Sequence, residues 1–313
     1  MSESGDKLWI ITEGLIGTEN PCKGVAQALE IEPVIKHITL NQPWKTLCPH
    51  LGFEQETTFE PKLSAPWPEI LITNGRKAIA AARYIKKASN GKTFTIHLQD
   101  PRINAPFLDL IAAPAHDSVN APNAIETIAT PNMITPQILE TAKPNFLKLG
   151  KMPSPRIAVL IGGKSKAYDM PRQMIENMIK QLSRLEGSLM ITCSRRSGEE
   201  NINLIDTALN KEGNFVWDGT GNNPYHAILA YADFILVTAD STSMVSESCS
   251  TGKPVYMIDL PGGSARINRF HKKLISYGAL KKFHGTLESF TYEPLNDAQK
   301  VAEEIKKRFK GFT

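Results

Sequence analysis

Two doubly wound, Rossmann-like α/β domains are what this 313-residue sequence predicts, on three observations. Apolar runs of strand length alternate with helix-length amphipathic segments through both halves. Glycine or small polar residues follow most of those runs, as they do where a strand turns into a helix. A segment with three prolines and no periodicity, KPNFLKLGKMPSP (143–155), stands between the halves and reads as a linker. The boundaries that follow are 1–148 for the first domain and 149–313 for the second.

Taken in order, LWIIT (8–12) is a strand, EGLIGTENP a glycine-containing loop, and Pro21 a good first residue for a helix running to Ile31. VIKHITL (34–40) alternates as a second strand, and 43–68 has no convincing periodicity. EILIT (69–73) leads through NGR into an Ala-rich helix ending at Ala88, and TFTIHLQ (93–99), LDLIAAP (108–114) and IETIAT (125–130) are further strands. PQILETA (136–142) is a short helix. The second half repeats the plan: RIAVLIGG (156–163), a helix near 171–186, SLMITCS (188–194), a helix near 198–210, and FVWDG (215–219). FILV, a helix-like segment and TGKPVYMID then make a strand–helix–strand over 233–259. RINRFHKKLISYG spaces Ile267, Phe270, Leu274 and Tyr277 along one helical face, with a basic face that reads as solvated. Val301, Ile305 and Phe309 form the stripe of a terminal helix.

Bulk properties narrow the function. A 41% hydrophobic and 22% charged chain is globular rather than disordered, and a net charge of +4 is too small for a dedicated nucleic-acid binder. Cys22, Cys48, Cys193 and Cys249 stand far apart with no CxxC, and no His pair falls at metal spacing, which implies reduced thiols, a cytoplasmic setting and no bound metal. The acid before the short apolar run at the N-terminus argues against a signal peptide or membrane span, so any membrane contact is expected to be peripheral.

The second half carries the stronger site pattern. Asp240, Ser241 and Thr242 follow a strand and can cap the next helix, whose first-turn N–H groups offer an anion site. Ser243 and Glu247 lie one turn apart and share a face, which puts a carboxylate beside that site where it can accept hydrogen bonds from a ribose diol. Gly162 and Gly163 let backbone N–H groups approach a ligand, with Lys164 and Ser165 adding donors; a tight turn with no ligand is the alternative. IGGKS is not a Walker A motif, because Ala158 stands where that pattern needs a glycine. GTGNNP (219–224) fails as a dinucleotide fingerprint, having Pro224 where the third glycine should stand. Arg195 and Arg196 in TCSRRSG suit a diphosphate through bidentate guanidinium contacts. No DxD occurs, so a metal-anchored sugar nucleotide is not expected. In the first half Glu13, Thr18, Asp100, Arg102, His116 and Asp117 fall in loops after strands, with Gly17, Asn20 and Arg102 as candidate substrate contacts; the loop carboxylates and the histidine are candidate bases, and capping of helices or turns is the alternative for each.

The segments EGLIGTEN, GVAQAL, HLQDPR, PAHDSVNAPN, VLIGGKS, TCSRR and TADSTSMVSESCSTGKPVY resemble the mitochondrial-fission factor family of plants and its bacterial relatives, described as glycosyltransferases. That resemblance implies a two-domain GT-B-like fold in which the last helix packs back on the first domain. It also implies a nucleotide-diphosphate sugar held as substrate against Gly162, Gly163, Ser241, Ser243 and Glu247, with no further cofactor. The family's first loop reads closer to DGRPGHEN, so Thr18 stands here in place of a histidine, and a base at that position is lost. Asp100 or His116 is then the expected base. The activity implied is metal-independent transfer of a sugar to a cell-surface glycan or lipid; a non-catalytic adaptor and a nucleotide-sugar epimerase are the alternatives.

Overall fold

The computed structural model describes residues 6–312 and divides the chain into two compact units, Met1–Met133 with Asn296–Thr313, and Ile134–Leu295. The first is built on β1 (Leu8–Thr12), α1 (Ile16–Ala28), β2 (Val34–His37), an insertion, β5 (Ile70–Asn74), α3 (Ala78–Ala88), β6 (Phe94–Leu98), β7 (Leu110–Pro114) and β8 (Ala124–Thr127). The insertion holds β3 (Thr39–Leu40), α2 (Trp44–Leu47) and β4 (Phe59–Glu60), the two strands pairing antiparallel. The main sheet is wholly parallel in the order β2-β1-β5-β6-β7-β8. A parallel sheet needs cover on both faces, which is why β1 is apolar at every position but its last. Leu8 and Ile10 join one core with Val25 of α1, while Trp9 and Ile11 join the other with Ile79 and Ile85 of α3.

The second unit begins with α4 (Pro136–Ala142) and α5 (Leu147–Gly150), followed by β9 (Arg156–Ile161), α6 (Arg172–Leu182), β10 (Ser188–Cys193), α7 (Glu199–Leu209) and β11 (Phe215–Val216). It continues with α8 (Tyr225–Tyr231), β12 (Phe234–Thr238), α9 (Thr242–Cys249), β13 (Val255–Ile258), α10 (Ala265–Tyr277) and β14 (Leu280–Lys282). Its parallel strands run β11-β10-β9-β12-β13-β14, the doubly wound order that reverses direction between its first and fourth strands.

The chain then returns to the first unit as α11 (Asp297–Arg308), bearing out the terminal helix that packs back on the N-terminal domain. Val301, Ala302 and Ile305 complete the α1 side of the first core, and the Phe309 ring lies 5.6 Å from that of Phe94. The carboxylate of Asp297, at the start of the helix, is buried and accepts the N–H groups of Ile128 (2.9 Å) and Ala129 (2.8 Å) just past β8.

Three expectations are corrected. Residues 134–148 belong to the second unit rather than the first, and 143–155 is not a free linker, because Leu149 is buried and the Tyr231 hydroxyl donates to the Lys143 carbonyl at 3.1 Å. The unit boundaries fall at 133/134 and 295/296, not at 148/149. Helix α1 starts at Ile16 and not at Pro21, so Gly17 and Asn20 are helical rather than loop residues; Leu15 O accepts the Thr18 and Glu19 N–H groups, and the proline forgoes one bond inside the helix.

Asp297→Ala should leave two buried N–H groups without a partner, lowering stability by about 1–3 kcal/mol. Urea titration followed by circular dichroism checks this, and an unchanged midpoint would show that the helix is held by its apolar stripe alone.

Candidate functional site

Strands β9 and β12 are neighbours with register Phe234 to Ile157 through Val237 to Leu160, so the loops that leave them emerge side by side at the carboxyl edge of the sheet. Connections run to opposite sides there, which opens a crevice where such sheets hold ligands. Thr238 and Asp240 lie on the β12 side. The Thr238 hydroxyl accepts the Gly162 N–H at 2.8 Å and donates to Asp240 Oδ1 at 2.7 Å. Asp240 Oδ2 accepts the Gly163 N–H at 2.9 Å and pairs with Arg196 Nη2 at 3.0 Å. The Asp240 side chain is wholly buried, whereas that of Arg196 remains 46% exposed.

This network corrects two expectations. The Gly162 and Gly163 N–H groups are taken by Thr238 and Asp240 and are not donors for a ligand. Both positions are glycine because a Cβ on Gly162 would stand 2.3 Å from the Asp240 carboxylate, and one on Gly163 would stand 2.1 Å from the Arg196 backbone carbonyl. Asp240 does not cap α9 either. Ser241 does so, its hydroxyl accepting the Met244 N–H at 3.3 Å. Thr242 and Ser243 supply the first-turn N–H groups, which have no intrahelical acceptor and carry the positive end of the helix.

Glu247 lies one turn beyond Ser243 on α9 and is half-buried. Its Oε2 accepts the Tyr225 hydroxyl at 2.5 Å. Burial pushes the carboxyl up to about 7, against the opposing effect of the tyrosine hydrogen bond. The same contact, with burial as its larger cause, holds the Tyr225 hydroxyl well above its ordinary range.

Around the crevice, Arg195 is exposed and Arg196 reaches back over Gly163, with Lys164 N–H donating to the Arg196 carbonyl at 3.1 Å. Lys164 Nζ pairs with Asp169 at 3.3 Å, both side chains being largely exposed. Ser165 closes its own turn, its hydroxyl accepting the Ala167 and Tyr168 N–H groups. Thus Gly162, Gly163, Lys164, Arg196 and the α9 N-terminus are brought to one edge by direct contacts, while Ser165 serves the loop.

In the first unit, Asp100 is exposed; its N–H donates to Asp117 Oδ2 at 3.2 Å and its Oδ1 accepts the Arg102 N–H at 2.7 Å. The loops after β6 and β7 therefore meet. His116, by contrast, is only 3% exposed, with Nε2 3.5 Å from Asp117 Oδ1, and the Asp117 side chain is buried as well. As placed, neither can take a proton from a substrate directly, which corrects that expectation. Glu13 is engaged by Lys77 Nζ at 2.6 Å across the β1 and β5 loops. Among the described residues no cluster of three His, Cys, Asp or Glu could hold a metal, and no helix is long and apolar enough to cross a membrane.

Thr238, Ser194, Ser197 and Tyr225 were not legible as site residues. Ser194 and Ser197 hydroxyls both donate to the Gly162 carbonyl, so each loop of the crevice is bound to the others. A polar pair at alternate positions, Thr238 and Asp240, was the available signal for part of this. Tyr225 and Glu247 are 22 residues apart, and nothing local announces their contact.

A carboxyl raised to about 7 contributes stability that is fully present below its ordinary value of 4.5 and is lost as the pH rises through 7. Glu247→Gln keeps an acceptor for Tyr225 and cannot ionise. Above neutrality it should therefore be more stable than the parent by on the order of 1–3 kcal/mol, with the gap closing toward pH 5. Thermal melts across that range check the sign; a gap that does not change with pH would overturn it.

Comparison with known proteins supplies the lineage. The family model described as Mitochondrial fission ELM1 matches residues 16–309. The "Mitochondrial fission protein ELM1" of Arabidopsis thaliana is 29% identical over 273 residues, a match spanning 77% of this chain and 64% of the plant protein. An uncharacterized protein of Rickettsia prowazekii is 26% identical, covering 96% of this chain and 97% of its own length. Among solved structures, the UDP-GlcNAc 2-epimerase of Methanocaldococcus jannaschii aligns with a TM-score of 0.58 at 13% identity, over 96% of this chain and 99% of that one. MurG of Acinetobacter baumannii aligns with a TM-score of 0.52 at 14% identity, over 97% and 91%. At these identities the likeness shows the fold, which is that of the GT-B enzymes. With strand order, terminal helix and a family match across nearly the whole chain in agreement, the protein belongs to the mitochondrial fission ELM1 family.

Proposed function

We propose that the second unit binds a nucleoside-diphosphate sugar at the carboxyl edge of β9 and β12, and that the chain is a glycosyltransferase modifying a cell-surface glycan or lipid acceptor without a divalent metal. The observation that carries this reading is the crevice at the reversal of strand order, where the α9 N-terminus, Arg196, Arg195 and Lys164 converge. A diphosphate there meets the Thr242 and Ser243 N–H groups and the guanidinium of Arg195, while Asp240 fixes the arm of Arg196. Glu247 keeps Oε1 for ribose hydroxyls while Oε2 holds Tyr225. Supporting it, a protein of similar fold, the UDP-GlcNAc 2-epimerase of Neisseria meningitidis, is bound to UDP-GlcNAc; it aligns with a TM-score of 0.51 at 12% identity, over 96% of this chain and 99% of that one.

A second reading, a non-catalytic adaptor, is favoured by one observation: two glycine N–H groups that a phosphate would use are closed by Thr238 and Asp240. On the transferase reading the remaining candidate for the base is Asp100, exposed at the edge of the first sheet.

UDP, GDP and UDP-GlcNAc in the presence of EDTA test the site. A ligand at about 100 times its Kd should stabilise the protein by about 2.7 kcal/mol, read as a rise in Tm. Arg195→Ala, on an exposed side chain, should weaken the ligand about tenfold with the apo Tm unchanged, and Glu247→Ala should cost about 1–3 kcal/mol of affinity. No shift with any nucleotide sinks the site, and a shift that needs Mg²⁺ sinks the metal-free form. Binding without nucleotide release in the presence of acceptors leaves the adaptor standing.

A further inference from the structure

Helix α1 starts without a cap at the point where the first sheet reverses direction. The chain leaves β1 through α1 toward β2 and leaves β5 through α3 toward β6, on the other side, so a crevice opens between β1 and β5 at their carboxyl ends. Leu15 has the extended backbone of an N-cap residue but no side-chain oxygen to give, and Leu15 and Ile16 are 62% and 67% exposed. The first-turn N–H groups of Ile16 and Gly17 therefore lack both an intrahelical acceptor and a capping side chain.

A second defect lies beside the first. Asn74, the last residue of β5, is wholly buried, and its Nδ2 donates to the carbonyl of Thr18 in the first turn of α1 at 2.9 Å. That contact fixes which end of the amide is oxygen, and Oδ1 has no partner. Thr18 also stands against the β5 turn, its methyl 3.4 Å from where a Cβ on Gly75 would lie. Glu13 and Lys77 tie the same two loops together at 2.6 Å. Uncapped donors, an orphan acceptor and two exposed apolar side chains thus meet at one crevice, and the first two of these cost stability.

What completes them defines the ligand. The Ile16 and Gly17 N–H groups need an acceptor and Asn74 Oδ1 needs a donor; a hydroxyl is both, whereas an ionised phosphate or carboxylate only accepts. Charge points the same way. Glu13 is matched by Lys77, and Glu19 by Lys23 and His37, so that Arg76, exposed on the β5 loop, is the cation outside these pairs, and an anion would have to approach two carboxylates to reach the helix. Leu15 and Ile16 add an apolar rim. We propose that the β1–β5 crevice of the first unit binds a hydroxyl group of an uncharged amphiphile, such as the sugar of a glycolipid, with the apolar part of that molecule against Leu15 and Ile16. Calling it the sugar acceptor rests on the transferase reading; its binding does not, and is tested without nucleotide.

The probe is n-octyl glucoside below its critical micelle concentration, titrated into the isotope-labelled full chain and followed by the backbone amide signals of Ile16 and Gly17 and the side-chain amide of Asn74. These signals should shift together and saturate, and octyl phosphate should bind about tenfold more weakly. Leu15→Ser supplies the missing cap: it should raise the Tm and weaken octyl glucoside about tenfold, because the serine hydroxyl takes a first-turn N–H. Asn74→Ala should weaken it likewise in a chain that still melts cooperatively, since the Thr18 carbonyl keeps the Cys22 thiol as a donor. The proposal is overturned if octyl glucoside leaves these signals unmoved, if octyl phosphate binds as tightly, or if Leu15→Ser raises the Tm and binds the glucoside as the parent does. Nucleotide binding by a chain that ignores octyl glucoside would remove this site and leave the transferase reading untouched.

Discussion

A carboxylate with no exposed surface has to be matched group for group, and Asp240 is matched by a hydroxyl, a backbone N–H and a guanidinium. Removing a charge from water costs several kcal/mol unless such partners are supplied, so the three loops that supply them are constrained together. Thr238 fixes Gly162, Gly163 is pressed against Arg196, and the serines of the β10 loop close on the Gly162 carbonyl. The shape of the crevice, the direction of Arg196 and the need for two glycines all follow from this one buried charge.

The same network shows how a motif can be found in the right place for the wrong reason. Paired glycines after a strand suggest close approach of a ligand, and here they permit close approach of the protein's own carboxylate and backbone. What the network leaves uncommitted at this edge is the first turn of α9 and the exposed guanidinium of Arg195.

Much of the fold was legible because parallel strands buried on both faces are written as unbroken apolar runs. LWIIT matches β1 residue for residue, and the runs RIAVLIGG and FILV place β9 and β12, the first overrunning its strand by Gly162 and Gly163 and the second falling short by Thr238. What misled were residues whose local meaning is overruled by distant contacts. Gly17 and Pro21 look like loop residues, yet α1 forms through them because its buried face, with Cys22 and Val25, has a core to join. The prolines of 143–155 look like a linker, yet Gly150 packs so closely on Tyr231 that a Cβ there would stand 2.6 Å from the ring. Asp240 followed by Ser and Thr looks like a cap, and only the tertiary partners show that the serine has that role. Burial likewise decides that His116, in the loop after β7, is structural while Asp100, in the loop after the neighbouring β6, remains accessible.

The first unit is assembled from two stretches of chain with the whole second unit between them. A ribosome releases residues in order, so the second unit, contiguous from 134 to 295, has all its strands before the first has its last helix. Until Val301, Ala302 and Ile305 arrive, the α1 side of the first core, with Leu8, Ile10 and Ile72, lies partly open. The nascent N-terminal half is thus the part of the molecule most in need of protection during synthesis, although it is made first.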